Sequence, residues 1–179
     1  MLTALQRRKL QLRFALLDTD GNGYLSQRDY DLVTLRLCAA FGHLPGTPEY
    51  ERVHEAYLKL WEQLRALMDA DGEGRVSLDR FMDGCERLMR EEKQPPAHDP
   101  VDLIFDMVDA DQNGVIDLTE FTKWMHAYGV GAQDTVEAFD LLDSDDDGVL
   151  SRPEIGAAAQ AFYASTDPAD VGNWLFGPL

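Results

Sequence analysis

The chain has 179 residues and a formal net charge of −17, with 33 acidic against 16 basic side chains. A charge of this sign and size repels phosphate groups, so it argues against binding to nucleic acid and to anionic membrane surfaces. The length suits one compact domain or two small packed lobes. A chain of this size buries about 70% of its unfolded surface, so it needs neither disulfides nor structural zinc to fold.

The N-terminal segment does not resemble a targeting signal. Its basic residues, Arg7, Arg8, Lys9 and Arg13, are spread along the segment, whereas a secretory signal groups its charges before an unbroken apolar stretch. No apolar run approaches the roughly 20 residues that a membrane span requires. We therefore expect a cytoplasmic protein that keeps its N-terminus and has no membrane partner.

The two cysteines, Cys38 and Cys85, both lie in helical patterns and far from any metal-binding spacing. A roomy core does not require a disulfide between them, although one bridge is the alternative. We expect two buried, reduced thiols.

Four segments repeat one pattern, with aspartates at positions 1 and 3 and glycine at position 6. They occupy residues 18–29, 69–80, 109–120 and 143–154, which we call loops 1 to 4. Apolar residues at helical spacing flank each of them. The sequence therefore predicts an all-α fold of four helix–loop–helix units in two packed pairs, with short β-pairing between the loops.

Two helix starts can be recognised between the repeats. Thr47-Pro48 and Asp99-Pro100 each place an N-cap residue before a proline at the first helical position. These pairs predict helices over residues 48–68 and 100–108.

The same pattern divides the chain into three parts. Residues 1–92 form the predicted N-terminal pair of units, and residues 99–165 form the C-terminal pair. A connector that contains two prolines, residues 93–98, separates them. Residues 166–179 form a C-terminal tail that we expect to pack on the core.

Twelve-residue loops of this kind suit Ca²⁺, a hard cation that takes six to eight oxygen ligands. Positions 1, 3, 5, 7, 9 and 12 supply the oxygens, the seventh through its backbone carbonyl. Position 12 gives two oxygens where it is glutamate, and glycine at position 6 permits the sharp turn. Clustered carboxylates repel one another unless a cation is present, so the pattern predicts a bound ion.

Loops 3 and 4 carry a suitable donor at every ligand position, with glutamate at position 12. The predicted ligands of loop 3 are Asp109, Asp111, Asn113, the Val115 carbonyl, Asp117 directly or through a water, and Glu120. Those of loop 4 are Asp143, Asp145, Asp147, the Val149 carbonyl and Glu154.

Loop 1 departs from the pattern at position 12, where an aspartate replaces the glutamate. Its predicted ligands are Asp18, Asp20, Asn22, the Tyr24 carbonyl and Asp29. Because Asp29 is shorter by one methylene, we expect it to reach the ion less easily and to bind through one oxygen. A six-oxygen shell is closer to what Mg²⁺ demands, so we expect Mg²⁺ to compete with Ca²⁺ chiefly here.

Loop 2 keeps the turn but loses the ligand set. Position 12 is Arg80, a permanent cation without an acceptor, and position 5 is the longer Glu73. We expect this loop to stay empty and to serve as a structural partner. The residues at position 8 should pair as short strands between adjacent loops: Leu25, Val76, Ile116 and Leu150.

The four loops, the degraded second loop and the ending over residues 172–179 resemble the sarcoplasmic calcium-binding protein and calerythrin-like family of EF-hand proteins. The resemblance implies a compact molecule with its two pairs packed together. It also implies three Ca²⁺ ions held in the cytosol at loops 1, 3 and 4. The preference for Arg over Lys favours a bacterial source.

The sequence leaves two hypotheses open for the role of calcium binding. The tail carries Trp174, Leu175, Phe176 and Leu179, which we expect to fold back and fill the molecule's own groove. A filled groove favours a monomeric Ca²⁺ buffer or transporter. The alternative is a sensor that regulates a protein partner through an exposed apolar groove.

A third hypothesis is that the protein is an enzyme, and the sequence gives little support for it. The four histidines, His43, His54, His98 and His126, lie in separate segments. No zinc-binding helix, Ser/His/Asp arrangement or phosphate-binding loop stands out in the sequence. We therefore expect no catalytic residues and no cofactor other than the metal ions.

Overall fold

The computed structural model describes residues 1–68, 72–91 and 101–179. Among these residues, no helix combines the length and the apolarity that a membrane crossing requires. The helices are α1 (Ala4–Leu17), α2 (Gln27–Ala40), α3 (Pro48–Met68), α4 (Leu78–Arg90), α5 (Val101–Val108), α6 (Leu118–Ala127), α7 (Ala132–Leu142) and α8 (Arg152–Ala164), followed by a 3-10 helix (Val171–Trp174). The strands are β1 (Tyr24–Leu25), β2 (Val76–Ser77), β3 (Val115–Ile116) and β4 (Leu150–Ser151). The predicted all-α fold is confirmed.

The two predicted helix starts have different outcomes. Helix α3 begins at Pro48, as predicted, and the Thr47 hydroxyl accepts a hydrogen bond from the Tyr50 amide at 3.3 Å. Helix α5 is described from Val101, so Pro100 and the connector over residues 93–98 lie outside the described residues.

The loops pair as the sequence predicts. Strand β1 pairs antiparallel with β2, and β3 pairs antiparallel with β4. Leu25 faces Val76 and Ile116 faces Leu150, and all four side chains are fully buried. Each pair of loops is therefore joined through its eighth positions, which lie in the core of its lobe.

The first lobe, which contains α1 to α4, and the second lobe, which contains α5 to α8, share one apolar core. Helix α2 of the first lobe packs against α6 of the second, and α3 packs against α5. At this interface the Tyr57 and Tyr128 hydroxyls are hydrogen-bonded at 3.0 Å, and the Cys38 thiol lies 3.9 Å from the Met107 sulfur. The helices that leave loops 1 and 3 are therefore in mutual contact.

The C-terminal tail lies against the second lobe. Leu175 and Phe176 are buried, and the Phe176 ring packs edge-on against Phe162 and Tyr128, with centroids 5.0 and 5.8 Å apart. Trp174 is half-buried. The 3-10 helix within the tail contacts both α7 and α8.

Both cysteines are free and buried, as predicted. Burial raises the pKa of the Cys38 thiol to about 11 and that of the Cys85 thiol to about 12. Because the thiolate is the reactive form, both side chains behave as small apolar core residues.

Candidate calcium sites

Each loop turns through two left-handed residues, at positions 4 and 6. In loops 1 and 2 both positions are glycine. In loops 3 and 4 position 4 is a residue with a side chain, Gln112 at φ +59° and Asp146 at φ +57°. Position 6 has a φ between +71° and +88° in all four loops, a region that costs residues other than glycine about 1–2 kcal/mol. The double turn folds the chain back on itself, so that the side chains of positions 1, 3 and 5 converge.

The aspartate at position 1 holds this turn in the same way in three loops. In loop 1 the Asp18 carboxylate accepts hydrogen bonds from the amides of Asn22 and Gly23, at 3.1 and 2.8 Å. Asp109 accepts from the amides at positions 5 and 6 of loop 3, at 3.0 and 2.9 Å. Asp143 does so in loop 4, at 3.1 and 2.8 Å. One carboxylate therefore both closes the loop and faces its centre.

The residue at position 12 also repeats its contacts. Glu120 accepts hydrogen bonds from the amides at positions 2 and 9 of its loop, at 2.8 and 3.0 Å. Glu154 accepts from the same positions, both at 2.8 Å. Asp29 does the same in loop 1, accepting from the Thr19 and Ser26 amides at 3.1 and 2.9 Å. The shorter side chain thus makes the same pair of contacts.

Positions 9 and 12 have a second role as the capping box of the helix that leaves the loop. Ser26 with Asp29 starts α2, Asp117 with Glu120 starts α6, and Ser151 with Glu154 starts α8. A capping box satisfies two amides at the helix start. The first turn of each exit helix is therefore anchored to its candidate metal ligand.

Carboxylate oxygens converge at three places among the described residues. In each group, one oxygen from every member lies within 4.8 Å of the others. The groups are Asp18, Asp20 and Asp29; Asp109, Asp111 and Glu120; and Asp143, Asp145 and Asp147. Each group belongs to one loop, and every member is a residue that the sequence predicts to be a ligand.

The remaining predicted ligands border these groups. The Asn22 and Asn113 side-chain oxygens each accept a hydrogen bond from the amide of position 7, at 2.9 and 3.0 Å. Tyr24 and Val115 begin β1 and β3, and Val149 directly precedes β4. The carbonyls of position 7 therefore lie where the loop enters its strand.

Electrostatics in loop 4 favour a cation. Burial, followed by repulsion from Asp147 and Glu154, raises the pKa of Asp145. Burial also acts to raise the pKa of Glu154, but hydrogen bonds from Ser151 and Ser144 outweigh it and lower the pKa to about 2. Glu154 is therefore ionised at neutral pH, and a divalent cation would relieve the repulsion among its neighbours.

The donor chemistry fits Ca²⁺. Carboxylates, amide oxygens and backbone carbonyls are hard oxygen donors, and the predicted ligand set of each of the three loops contains no sulfur or imidazole. The ion would be held by the convergent aspartates and by the residue at position 12.

Loop 2 has a different interior. The aspartates at its positions 1 and 3, Asp69 and Asp71, lie outside the described residues. Glu73 forms an ion pair with Arg75 at 2.6 Å, and the Arg75 guanidinium lies over the Tyr24 ring of loop 1, 4.4 Å from its centroid. The expectation that Arg80 keeps this loop empty stays a prediction.

Four hydroxyls that support position 12 were not predicted from the sequence. Thr19 and Ser26 donate to Asp29 through their hydroxyls, at 3.2 and 2.7 Å, as Ser144 and Ser151 donate to Glu154, at 2.8 and 2.7 Å. The capping-box spacing of Ser151 and Glu154 is the signal that could have revealed part of this set.

Comparison with known proteins agrees with this geometry. The EF-hand domain pair family matches residues 60–126, and the EF hand family matches residues 135–157. Calerythrin of Saccharopolyspora erythraea is 27% identical over 167 residues, covering 91% of this chain and 94% of its own length. The beta chain of the sarcoplasmic calcium-binding protein of Penaeus sp. is 22% identical over 172 residues, covering 90% of both chains.

A solved structure shares the fold over the full length. The sarcoplasmic calcium-binding protein from amphioxus superposes with a TM-score of 0.79 at 17% identity and covers 100% of both chains. These matches agree with the paired loops and with the three carboxylate groups described above. The chain belongs to the EF-hand proteins, and it is similar in sequence and in fold to calerythrin and the sarcoplasmic calcium-binding proteins.

Proposed function

We propose that this protein binds three Ca²⁺ ions, at loops 1, 3 and 4, and acts as a monomeric, cytoplasmic Ca²⁺ buffer. The observation that carries the proposal is the convergence of carboxylate oxygens within 4.8 Å in these three loops. The similarity to the sarcoplasmic calcium-binding proteins supports the choice of cation.

The position of the tail favours a buffer over a sensor. A sensor must expose an apolar groove when it binds Ca²⁺. In this molecule Leu175 and Phe176 of the tail are buried, and they line one apolar cavity together with residues of the second lobe, among them Ile104, Trp124 and Ile155. A groove filled by the chain's own tail has no room for a partner helix, so binding serves uptake of the ion.

Calorimetric titration tests the number and the identity of the sites. The wild type should take up three equivalents of Ca²⁺, and each of the variants Asp29→Asn, Glu120→Gln and Glu154→Gln should lose one. Each change keeps the size of the side chain and removes one carboxylate charge. Arg80→Gln is the control, because it leaves all three proposed ligand sets intact and should still bind three ions.

Two results would contradict this assignment. A wild type that saturates at two equivalents would remove loop 1 from the proposal, as would an Asp29→Asn variant with unchanged uptake. A fourth equivalent in the wild type would mean that loop 2 binds despite Arg80.

The same titration in Mg²⁺ tests metal selectivity. We propose that Mg²⁺ competes mainly at loop 1, because Asp29 offers a shorter reach than the glutamates of loops 3 and 4. Excess Mg²⁺ should weaken one of the three Ca²⁺ binding steps much more than the other two. In Asp29→Asn that Mg²⁺-sensitive step should be absent.

A further inference from the structure

Helix α1 carries three basic residues that contact the C-terminal lobe and the tail, although α1 itself leads into loop 1. Two of them, Lys9 and Arg13, are only 1% exposed. They are four residues apart, so they lie on the same face of the helix. Lys and Arg are almost never fully buried unless specific contacts hold them, so these contacts call for an explanation.

Lys9 binds the end of α8. Its ammonium donates hydrogen bonds to the carbonyls of Ala161 and Ser165, at 3.3 and 3.0 Å. Carbonyls at a helix C-terminus carry partial negative charge, which favours a cation at this place. Burial lowers the pKa of Lys9, while the charge of Asp170, at the start of the tail's 3-10 helix, opposes this shift.

Arg13 and Arg8 contact the tail itself. The Arg13 guanidinium lies 4.7 Å from the centroid of the Phe176 ring and 5.5 Å from that of Tyr128. A desolvated cation over an aromatic ring is attracted more strongly than an exposed one. Arg8 donates a hydrogen bond to the carbonyl oxygen of Leu179. The tail is thus held from α1 at two points, Phe176 and the final residue.

The other end of α1 is the first ligand of loop 1. Asp18 is the C-cap of the helix, and its amide donates to the Phe14 carbonyl at 2.8 Å. Phe14 packs edge-on against Phe81 with ring centroids 5.6 Å apart, which fixes α1 within the first lobe. A helix of 14 residues is about 21 Å long, so one rigid element connects the loop to the distant tail.

We propose that α1 couples loop 1 to the C-terminal tail: Ca²⁺ at loop 1 stabilises the docked tail, and the docked tail raises the affinity of loop 1 for Ca²⁺. The coupling rests on Ca²⁺ binding at loop 1, as proposed above. It is reciprocal by thermodynamic linkage, because both events favour the same position of α1.

Loop 1 can be followed separately with terbium as a Ca²⁺ substitute. Tyr24 at position 7 lies next to the candidate ion, whereas position 7 of loops 3 and 4 is valine. Tyrosine absorbs light and transfers the excitation energy to a nearby Tb³⁺ ion. The luminescence that is lost in Tyr24→Phe therefore reports Tb³⁺ binding at loop 1. This difference signal is the readout for the affinity measurements below.

We expect Phe176→Ala to lower the affinity of loop 1 for Tb³⁺ by about fivefold, the lower end of typical coupling between sites. Arg8→Gln should lower it less, because Arg8 is exposed and makes one contact. Arg7→Gln is the matched control, since Arg7 is an exposed neighbour on the same helix, and it should leave the affinity unchanged. Far-UV circular dichroism of each variant checks that it has folded.

A double-mutant cycle tests whether α1 carries the effect. If it does, Lys9→Met combined with Phe176→Ala should lower the affinity of loop 1 by less than the product of the two single effects. Independent effects that multiply fully would show that the tail acts through another route. An unchanged affinity in folded Phe176→Ala would overturn the coupling altogether.

Hydrogen exchange gives the reciprocal readout on the tail. The amides of Leu175 and Gly177 donate to the Gly172 and Trp174 carbonyls at 3.3 and 2.8 Å. Saturating Ca²⁺ should slow their exchange, and Asp29→Asn should lose part of this protection although loops 3 and 4 remain filled. Equal protection in the wild type and in Asp29→Asn would contradict the coupling. Absence of any Tyr24-dependent Tb³⁺ signal in the wild type would instead refute metal binding at loop 1.

Discussion

Among single residues, Asp29 shows how a shorter side chain changes a metal site without changing its frame. Its side chain is fully buried, and its carboxylate accepts hydrogen bonds from the amides of positions 2 and 9, as Glu120 does. Because the side chain is one methylene shorter, these contacts require the loop backbone to lie closer to the Cα atom of residue 29. Turning both carboxylate oxygens of Asp29 towards an ion at the centre of the loop would therefore break these hydrogen bonds, whereas the longer glutamate side chain can keep them.

Asp29→Glu should raise the Ca²⁺ affinity of loop 1 by about tenfold, equivalent to about 1.4 kcal/mol. The added methylene lets both carboxylate oxygens reach the ion, and the larger shell favours Ca²⁺ over Mg²⁺. Calorimetric titration with and without Mg²⁺ measures both effects. Glu120→Asp in loop 3 is the reverse change and should lower affinity at that loop. A loop 1 affinity that falls in Asp29→Glu would mean that the buried position has no room for the longer side chain.

The ligand positions could be predicted from the sequence because metal chemistry fixes their spacing. A hard cation needs oxygens at set intervals along a loop, so the ligands Asp109, Asp111 and Glu120 can be recognised from residue type and spacing alone. The burial of Lys9 and Arg13 could not be predicted in this way. Their positions along α1 suit a solvent-facing stripe, and only the second lobe and the tail, both distant in sequence, cover that stripe.

At the scale of helices, the glycines of α4 and α8 show how packing overrides local preference. Both Gly84 and Gly156 lie inside a helix, where glycine costs about 0.5–1 kcal/mol relative to alanine. A Cβ at Gly84 would lie 2.5 Å from both Cγ and Cε of Met68 on α3, whereas a Cβ at Gly156 would have no neighbour within 4 Å. The close contact between α3 and α4 therefore depends on Gly84.

Alanine at these two positions should change stability in opposite directions. Gly84→Ala should destabilise the protein by about 1–2 kcal/mol, because Met68 must leave its buried position. Gly156→Ala should stabilise it by about 0.5–1 kcal/mol through the lower entropy of the unfolded chain. Urea denaturation in saturating Ca²⁺ measures both changes with metal linkage held fixed. Stabilisation by Gly84→Ala would show that Met68 adapts without cost.

The helices and strands could be predicted where a local sequence pattern indicates them. Loop residues and helical apolar spacing indicated the four units, and the eighth positions indicated both strand pairs. The pairing of Leu25 with Val76 followed, because equivalent positions of adjacent loops meet in an EF-hand pair. The close packing at Gly84 gave no such signal, since it depends on a side chain 16 residues away in the chain.

Across the whole molecule, the docked tail depends on another glycine. Gly172 lies where the 3-10 helix contacts α8, and its amide donates to the Asp170 side chain at 2.9 Å. A Cβ at this position would lie 2.5 Å from the Ala161 Cβ and 2.9 Å from the Ala158 carbonyl oxygen. Neither atom belongs to a flexible side chain, so the tail itself would have to move.

Gly172→Ala should therefore release the tail and uncover the apolar groove that Leu175 and Phe176 fill. In saturating Ca²⁺ we expect this variant to bind an apolar fluorescent dye severalfold more strongly than the wild type, because the side chains around Trp124 become accessible. Val171→Ala is the control, since Val171 is exposed on the same 3-10 helix and its truncation leaves the contact with α8 intact. Equal dye binding by Gly172→Ala and the wild type would show that the tail tolerates the added methyl group. Strong dye binding by the Ca²⁺-loaded wild type would show that the groove opens on its own, and would favour a sensor over a buffer.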